Sequence, residues 1–162
     1  MKDLPTRKNI RLKDYNYSQA GYYFVTICIK DRCELLGQIV GDAALGVPRI
    51  ELSDVGQNVK KHIENIDQHS NVTLDKYVIM PNHLHLLICV NNGTPKAASP
   101  TNAIIPKIVN ALKGLTSKKF GETMWQRSYH DHIIRNEDEY HRIWKYIDEN
   151  PVLWQEDCYY TP

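Results

Sequence analysis

The chain has 162 residues, 42% of them hydrophobic and 24% charged, with a formal net charge of +1. Those totals fit one globular domain, residues 1–162, with a real hydrophobic core. No run approaches the ~20 apolar residues that span a bilayer, and the start, MKDLPTRKNIRLKDY, has no apolar stretch of the secretory kind, so a cytoplasmic protein with no membrane partner is expected.

Residues 21–30, GYYFVTICIK, are β-branched and aromatic and predict a strand. ELLGQIVG, residues 34–41, predicts a second strand that could form a hairpin with the first. GDAALGVPRI follows as a loop. Ser53 is a good N-cap for an amphipathic helix with Val55, Val59, Ile63 and Ile66 at helical spacing. VTLDKYVIM, residues 72–80, predicts a strand, Pro81-Asn82 a turn, and HLHLLICV, residues 83–90, a strand central in a sheet. Residues 91–102 are polar, with Gly and Pro, and predict a mobile loop. A helix is expected over about 103–119, with Ile104, Ile108, Ala111, Leu112 and Leu115 on one side and Lys107, Lys113, Lys118 and Lys119 on the exposed face. YHDHIIR, residues 129–135, predicts a short strand. EDEYHRIWKYIDE, residues 137–149, predicts a last helix, with an acidic first turn that suits its dipole and Pro151 to end it. The β-α-β-β-α-β order, over about 21–151, predicts an α+β fold: a ferredoxin-like α/β sandwich with an antiparallel sheet and an extra C-terminal helix.

Four cysteines, Cys28, Cys33, Cys89 and Cys158, form no CxxC pair, so neither a zinc knuckle nor a thioredoxin-type motif is indicated. Charge is unevenly spread: residues 103–135 carry six Lys/Arg against two acidic residues, whereas 136–162 carry two basic against seven acidic. A basic face could follow a phosphate backbone, or the asymmetry could be solvated surface.

His83 and His85 alternate with Leu84 in a strand of period two, so both imidazoles point to one face. They could bind a divalent cation if a third group joins them, or they could be polar residues on a half-exposed strand. Their apolar flanks favour a site, because an unpaired buried ring is costly. Tyr146 and Asn150 lie one helical turn apart on one face. A tyrosine hydroxyl, with an ordinary pKa of about 10, needs a cation or base nearby to act as a nucleophile. The amide oxygen of Asn150 could meet the same metal, although Asn before Pro also ends helices. His130, Asp131 and His132 form a rival HxH, in a basic setting with Trp125, Arg127 and Arg135, where DNA contact or structural hydrogen bonding is an equal reading. GxGxxG, Walker, GxSxG and HExxH motifs are absent.

YVIMPNHLHLLICV resembles the His-hydrophobic-His motif of single-tyrosine HUH transposases, the IS200-like family. WQRSYHDHIIRNEDEYHRIWKYIDENP resembles the C-terminal signature of its REP-associated branch, which ends in Tyr-Ile-x-x-Asn-Pro. The resemblance runs from about Gly21 to Pro151. It implies an endonuclease and strand transferase that cuts single-stranded or hairpin DNA without ATP, working as a monomer or homodimer. His83 and His85 match the metal-binding pair and Tyr146 the nucleophile. Asn150 stands where relatives place a polar metal-binding side chain, often the longer Gln. The implied cofactor is Mg or Mn. Lys107, Lys113, Lys118, Lys119, Arg127 and Arg135 are then expected to contact DNA, with Trp125, Tyr129, Tyr15 and Tyr17 able to stack on unpaired bases. A domesticated hairpin-binding module that no longer cuts, and an unrelated HxH hydrolase using Asp131, are the alternatives.

Overall fold

The computed structural model describes residues 20–41, 46–68, 71–91, 103–121 and 123–162. Tyr15, Tyr17 and, apart from Asn91, the expected loop at 91–102 lie outside them. A four-stranded antiparallel sheet has the order β4-β5-β1-β6, from Val72–Ile79 (β4), His83–Val90 (β5), Gly21–Cys28 (β1) and His130–Ile134 (β6). Helices α1 (Asp54–Glu64) and α2 (Ile104–Phe120) make the two crossovers, and α3 (Glu137–Glu149) follows β6. This is the ferredoxin-like sandwich with an added C-terminal helix.

The two faces of the sheet differ in chemistry because side chains alternate along each strand. Tyr23, Val25 and Ile27 of β1 and Leu84, Leu86, Ile88 and Val90 of β5 are buried in the main core. Val59 and Ile63 of α1 and Ile105, Ile108, Val109 and Leu112 of α2 belong to that same cluster. The opposite face carries Phe24 and Thr26 of β1, with Thr26 opposite His85 and Cys28 opposite His83. Helix α3 covers this second face, its Tyr146 ring set edge-on to Phe24 at 6.1 Å.

Three expectations are corrected. Residues 37–40 (β2) pair not with β1 but with Arg49–Leu52 (β3), whose first two residues fall in the stretch expected to be a loop. This hairpin is a separate two-stranded sheet. On α2, Ala111 and Leu115 are exposed rather than core-facing. The buried stripe runs through Ile105, Val109, Leu112 and Thr116, because Thr116 turns inward to accept the Trp125 indole N–H at 2.8 Å. Lys113 is half-buried, not free on an exposed face; its ammonium donates to the carbonyls of Gln126 and Ser128 at 2.8 and 3.0 Å.

One junction fixes the start of β5. The Gly56 N–H at the start of α1 donates to the Ser53 hydroxyl at 3.1 Å, capping the helix. A Cβ on Gly56 would lie 1.9 Å from the Leu36 carbonyl oxygen. The Leu36 N–H in turn donates to Pro81 O at 2.9 Å, and the Ile29 N–H to Asn82 O at 2.8 Å. The turn before His83 is thereby tied to both β1 and the start of α1.

Candidate active site

His83 and His85 are buried, with 0% and 1% of their surfaces exposed, and their Nε2 atoms lie 3.1 Å apart. Each is held through Nδ1. His83 Nδ1 is 2.8 Å from the Asn82 side-chain oxygen, and His85 Nδ1 is 2.8 Å from the Thr26 hydroxyl. The Asn82 amide is oriented by its own donors, since its Nδ2 reaches the carbonyls of Arg32 and Tyr159 at 3.3 and 2.8 Å. Its oxygen therefore faces His83, so His83 carries its proton on Nδ1 and presents a bare Nε2. His85 can follow either of two tautomers, because the Thr26 hydroxyl can donate or accept. When Thr26 accepts, both Nε2 lone pairs converge on one point, which is what a shared cation needs.

Helix α3 brings Tyr146 and Asn150 to the same place. The Tyr146 oxygen is 3.4 Å from His85 Nε2 and donates to Asp157 Oδ2 at 3.0 Å. Asn150 is 1% exposed; its Nδ2 donates to the same carboxylate oxygen at 2.8 Å, and its Oδ1 is buried with no hydrogen-bond partner. Asp157 follows the short turn Trp154–Glu156, and its Oδ1 accepts from the Tyr159 N–H at 2.7 Å. The Tyr159 ring packs on His83 with centroids 4.4 Å apart, Trp154 sits at 5.9 Å, and Phe24 stacks on His85 at 5.1 Å. This aromatic wall removes water from the imidazoles, while Tyr146 stays 37% exposed.

Burial is the main cause of the charge states here. It holds His83 and His85 well below the ordinary histidine pKa, with the Asp157 carboxylate partly opposing the shift at His83. Burial first, and then the nearby Asp157, push the Tyr146 phenol above its usual range. An unaided Tyr146 is thus a poor nucleophile at neutral pH. The donor set fits a divalent cation: two neutral imidazole nitrogens, and an amide oxygen of Asn150 that is buried and unclaimed. Ligand atoms of His83, His85 and Asp157 all lie within 4.8 Å of one another.

The other residues singled out in the sequence are placed elsewhere. Trp125 is 2% exposed and Tyr129 8%, so both are packing residues and neither ring is open for base stacking. Lys107, Lys118 and Lys119 are exposed, but on α2, across the sheet from the histidines. Lys113 is drawn down to a pKa of about 8 by burial. Arg127 and Arg135 are exposed and bracket the edge strand β6. The His130-Asp131-His132 triplet is split between the two faces, because Asp131 pairs with Val25 while His130 and His132 pair with Thr26 and Phe24. His132 is instead 2.6 Å from Glu139. Sequence reasoning missed Thr26, Asn82, Asp157 and Tyr159. The sequence marks Asn82 only as a turn residue, and no periodicity links Asp157 to His83 and His85, 74 and 72 residues before it.

The class of protein follows from its similarity to known proteins. Residues 48–150 match the family described as "Transposase IS200 like". An uncharacterised protein of Haemophilus influenzae is 39% identical, covering 96% of this chain and 93% of that one. The solved structure of a REP-associated tyrosine transposase bound to a REP hairpin superposes with a TM-score of 0.62 at 20% identity, covering 88% of this chain and 72% of that one. The chain belongs to the IS200-like transposase family.

Proposed function

We propose that this transposase cleaves single-stranded DNA at a hairpin or repeat and rejoins it through a covalent 5′-phosphotyrosine on Tyr146. The observation that carries this reading is the Tyr146 hydroxyl, 3.4 Å from His85 Nε2 at the point where the two imidazoles converge. Tyr146 reaches the histidines of its own chain, which supports a tyrosine acting in cis, in a monomer or a homodimer. The fold likeness to a protein bound to a REP hairpin supports a hairpin as target, and the Tyr-Ile-x-x-Asn-Pro signature ending at Pro151 supports the REP-associated branch.

Mg or Mn held by His83, His85 and the Asn150 oxygen would supply Lewis-acid polarisation of the scissile phosphate. Asn82 and Thr26 aim the imidazoles. Tyr146 attacks phosphorus and gives up its O–H proton, the bond from phosphorus to the 3′ oxygen breaks, and that oxygen takes up a proton to leave as a 3′-hydroxyl, so no net proton is gained or lost. The new phosphoester conserves the energy of the old one, so a later 3′-hydroxyl can reverse the step and join different ends. Arg127 and Arg135, at the two ends of β6, are assigned to the backbone of the single strand. Lys107, Lys118 and Lys119, on the other side of the sheet, are assigned to a hairpin stem. The whole chain acts as one cytoplasmic domain in this reading.

The test is cleavage of a labelled hairpin oligonucleotide taken from the flanks of the gene. Cleavage is expected with Mg or Mn, and not with EDTA, His83→Ala/His85→Ala or Tyr146→Phe, while Tyr146→Phe still binds. Cleavage that survives Tyr146→Phe would move the chemistry to another nucleophile. Metal-independent binding without any cleavage would leave a hairpin-binding module.

A further inference from the structure

The segment after α3 brings to the histidine pair a carboxylate that lies beyond the His-x-His and tyrosine signatures. We propose that Asp157 is a ligand of the divalent cation, so that the site is built from His83, His85, Asn150 and Asp157 and the C-terminal segment is an integral part of it. The proposal rests on the reading that the two histidines hold such an ion.

Three observations carry it. Ligand atoms of His83, His85 and Asp157 already lie within 4.8 Å of one another, with the imidazoles buried and only Asp157 partly open. The carboxylate is also fixed in place: Tyr159 N–H holds Oδ1 at 2.7 Å, while Tyr146 O–H and Asn150 Nδ2 reach Oδ2 at 3.0 and 2.8 Å. A carboxylate has about four acceptor positions, so room for one further partner remains. Finally, the Asn150 amide donates its nitrogen to Asp157, and this leaves its oxygen as the buried atom without a partner. Asp157 therefore orients a second oxygen donor as well as offering its own.

The chemistry of the ion favours the same assignment. Mg and Mn are hard cations that prefer oxygen, and carboxylates above other oxygens for their charge. Two neutral imidazoles and one neutral amide supply no charge to offset a dication in a place walled by Phe24, Trp154 and Tyr159. Asp157 supplies one negative charge there. Two histidines with one carboxylate also leave coordination positions open for water and a phosphate oxygen. By linkage, seating of residues 154–159 and binding of the ion strengthen each other.

Mn titration of the full chain by calorimetry and electron paramagnetic resonance tests this without DNA. Wild type is expected to bind one Mn in a His85-dependent manner. Asp157→Asn, which keeps the shape and one acceptor oxygen, is expected to bind at least about tenfold more weakly. Asp157→Glu should recover part of the loss, and Asp148→Asn, which changes an exposed acid on α3, should leave affinity unchanged. Amides of residues 154–160 in the wild type should exchange hydrogen more slowly once Mn is added. Equal or tighter binding by Asp157→Asn overturns the inference, the tighter case making the segment a plug, and so does unchanged exchange over 154–160. Absence of His85-dependent Mn binding in the wild type instead overturns the underlying reading of the histidines.

Discussion

His83 and His85 cost stability as buried bases, and pH reports that cost. Their pKa values lie below the ordinary histidine value of about 6.5 because the folded chain shields them from water. In the unfolded chain both take up protons as pH falls below about 6.5, while in the folded chain they do not. The unfolded state then binds more protons, so folding stability is full above that pH and declines below it. Urea midpoints measured between pH 7.5 and 5 should fall for the metal-free protein, and His83→Gln should flatten the decline. Midpoints that stay level would show that the rings are charged or open to water. The Thr26 hydroxyl makes a second claim at this scale. Thr26→Val removes the acceptor that His85 Nδ1–H needs when its Nε2 is bare, and should weaken Mn binding about 10- to 100-fold. Thr26→Ser keeps the hydroxyl and should bind almost as wild type does. Equal binding by the valine variant would remove Thr26 from the site.

At the scale of elements, the site depends on a junction remote from it. Gly56 opens α1 against the backbone of Leu36, and Leu36 holds the turn at Pro81. Gly56→Ala forces a methyl group into a carbonyl oxygen with nowhere to yield, so α1 or the turn must shift. A loss on the order of 1–3 kcal/mol is expected in chemical denaturation, with Mn affinity reduced alongside. An alanine variant of unchanged stability would mean that this junction is softer than its geometry states. Most elements could be read from the sequence: α1 from its apolar spacing and the Ser53 cap, α3 from its acidic first turn and the proline that ends it, β5 from its nearly continuous apolar run. Strand β3 could not, because Arg49–Leu52 is short and follows a proline in a loop-like stretch, and it is completed only by pairing with β2. The facing of α2 was misjudged for a related reason. Leu115 fits the apolar stripe by spacing, yet it is 52% exposed, because Trp125 draws Thr116 inward instead.

For the whole molecule, the sheet separates two jobs. One face packs α1 and α2 into a core, and the other presents the histidines beneath α3 and the C-terminal segment. Strand alternation puts His83 and His85 on one face and one helical turn puts Tyr146 and Asn150 on another, and the resemblance to the IS200-like family singles the four out together. Asp157 and Tyr159 could not be found that way, since they reach the histidines only through the tertiary path of the chain after Pro151. The basic residues were harder still: Lys113 and Lys119 look alike in sequence, but only the fold shows that one ammonium is spent on two backbone carbonyls.

The central claim is that Tyr146 becomes covalently joined to DNA. The most direct measurement is mass spectrometry of the protein after reaction with hairpin DNA and Mn, nuclease trimming and trypsin. Cleavage after Lys145 releases Tyr146–Pro162 as one peptide. The account predicts a 5′-nucleotide on this peptide, with fragment ions placing it on Tyr146 and not on Tyr159 or Tyr160. A nucleotide on either of those residues, or cleaved DNA with the peptide unmodified, would contradict it.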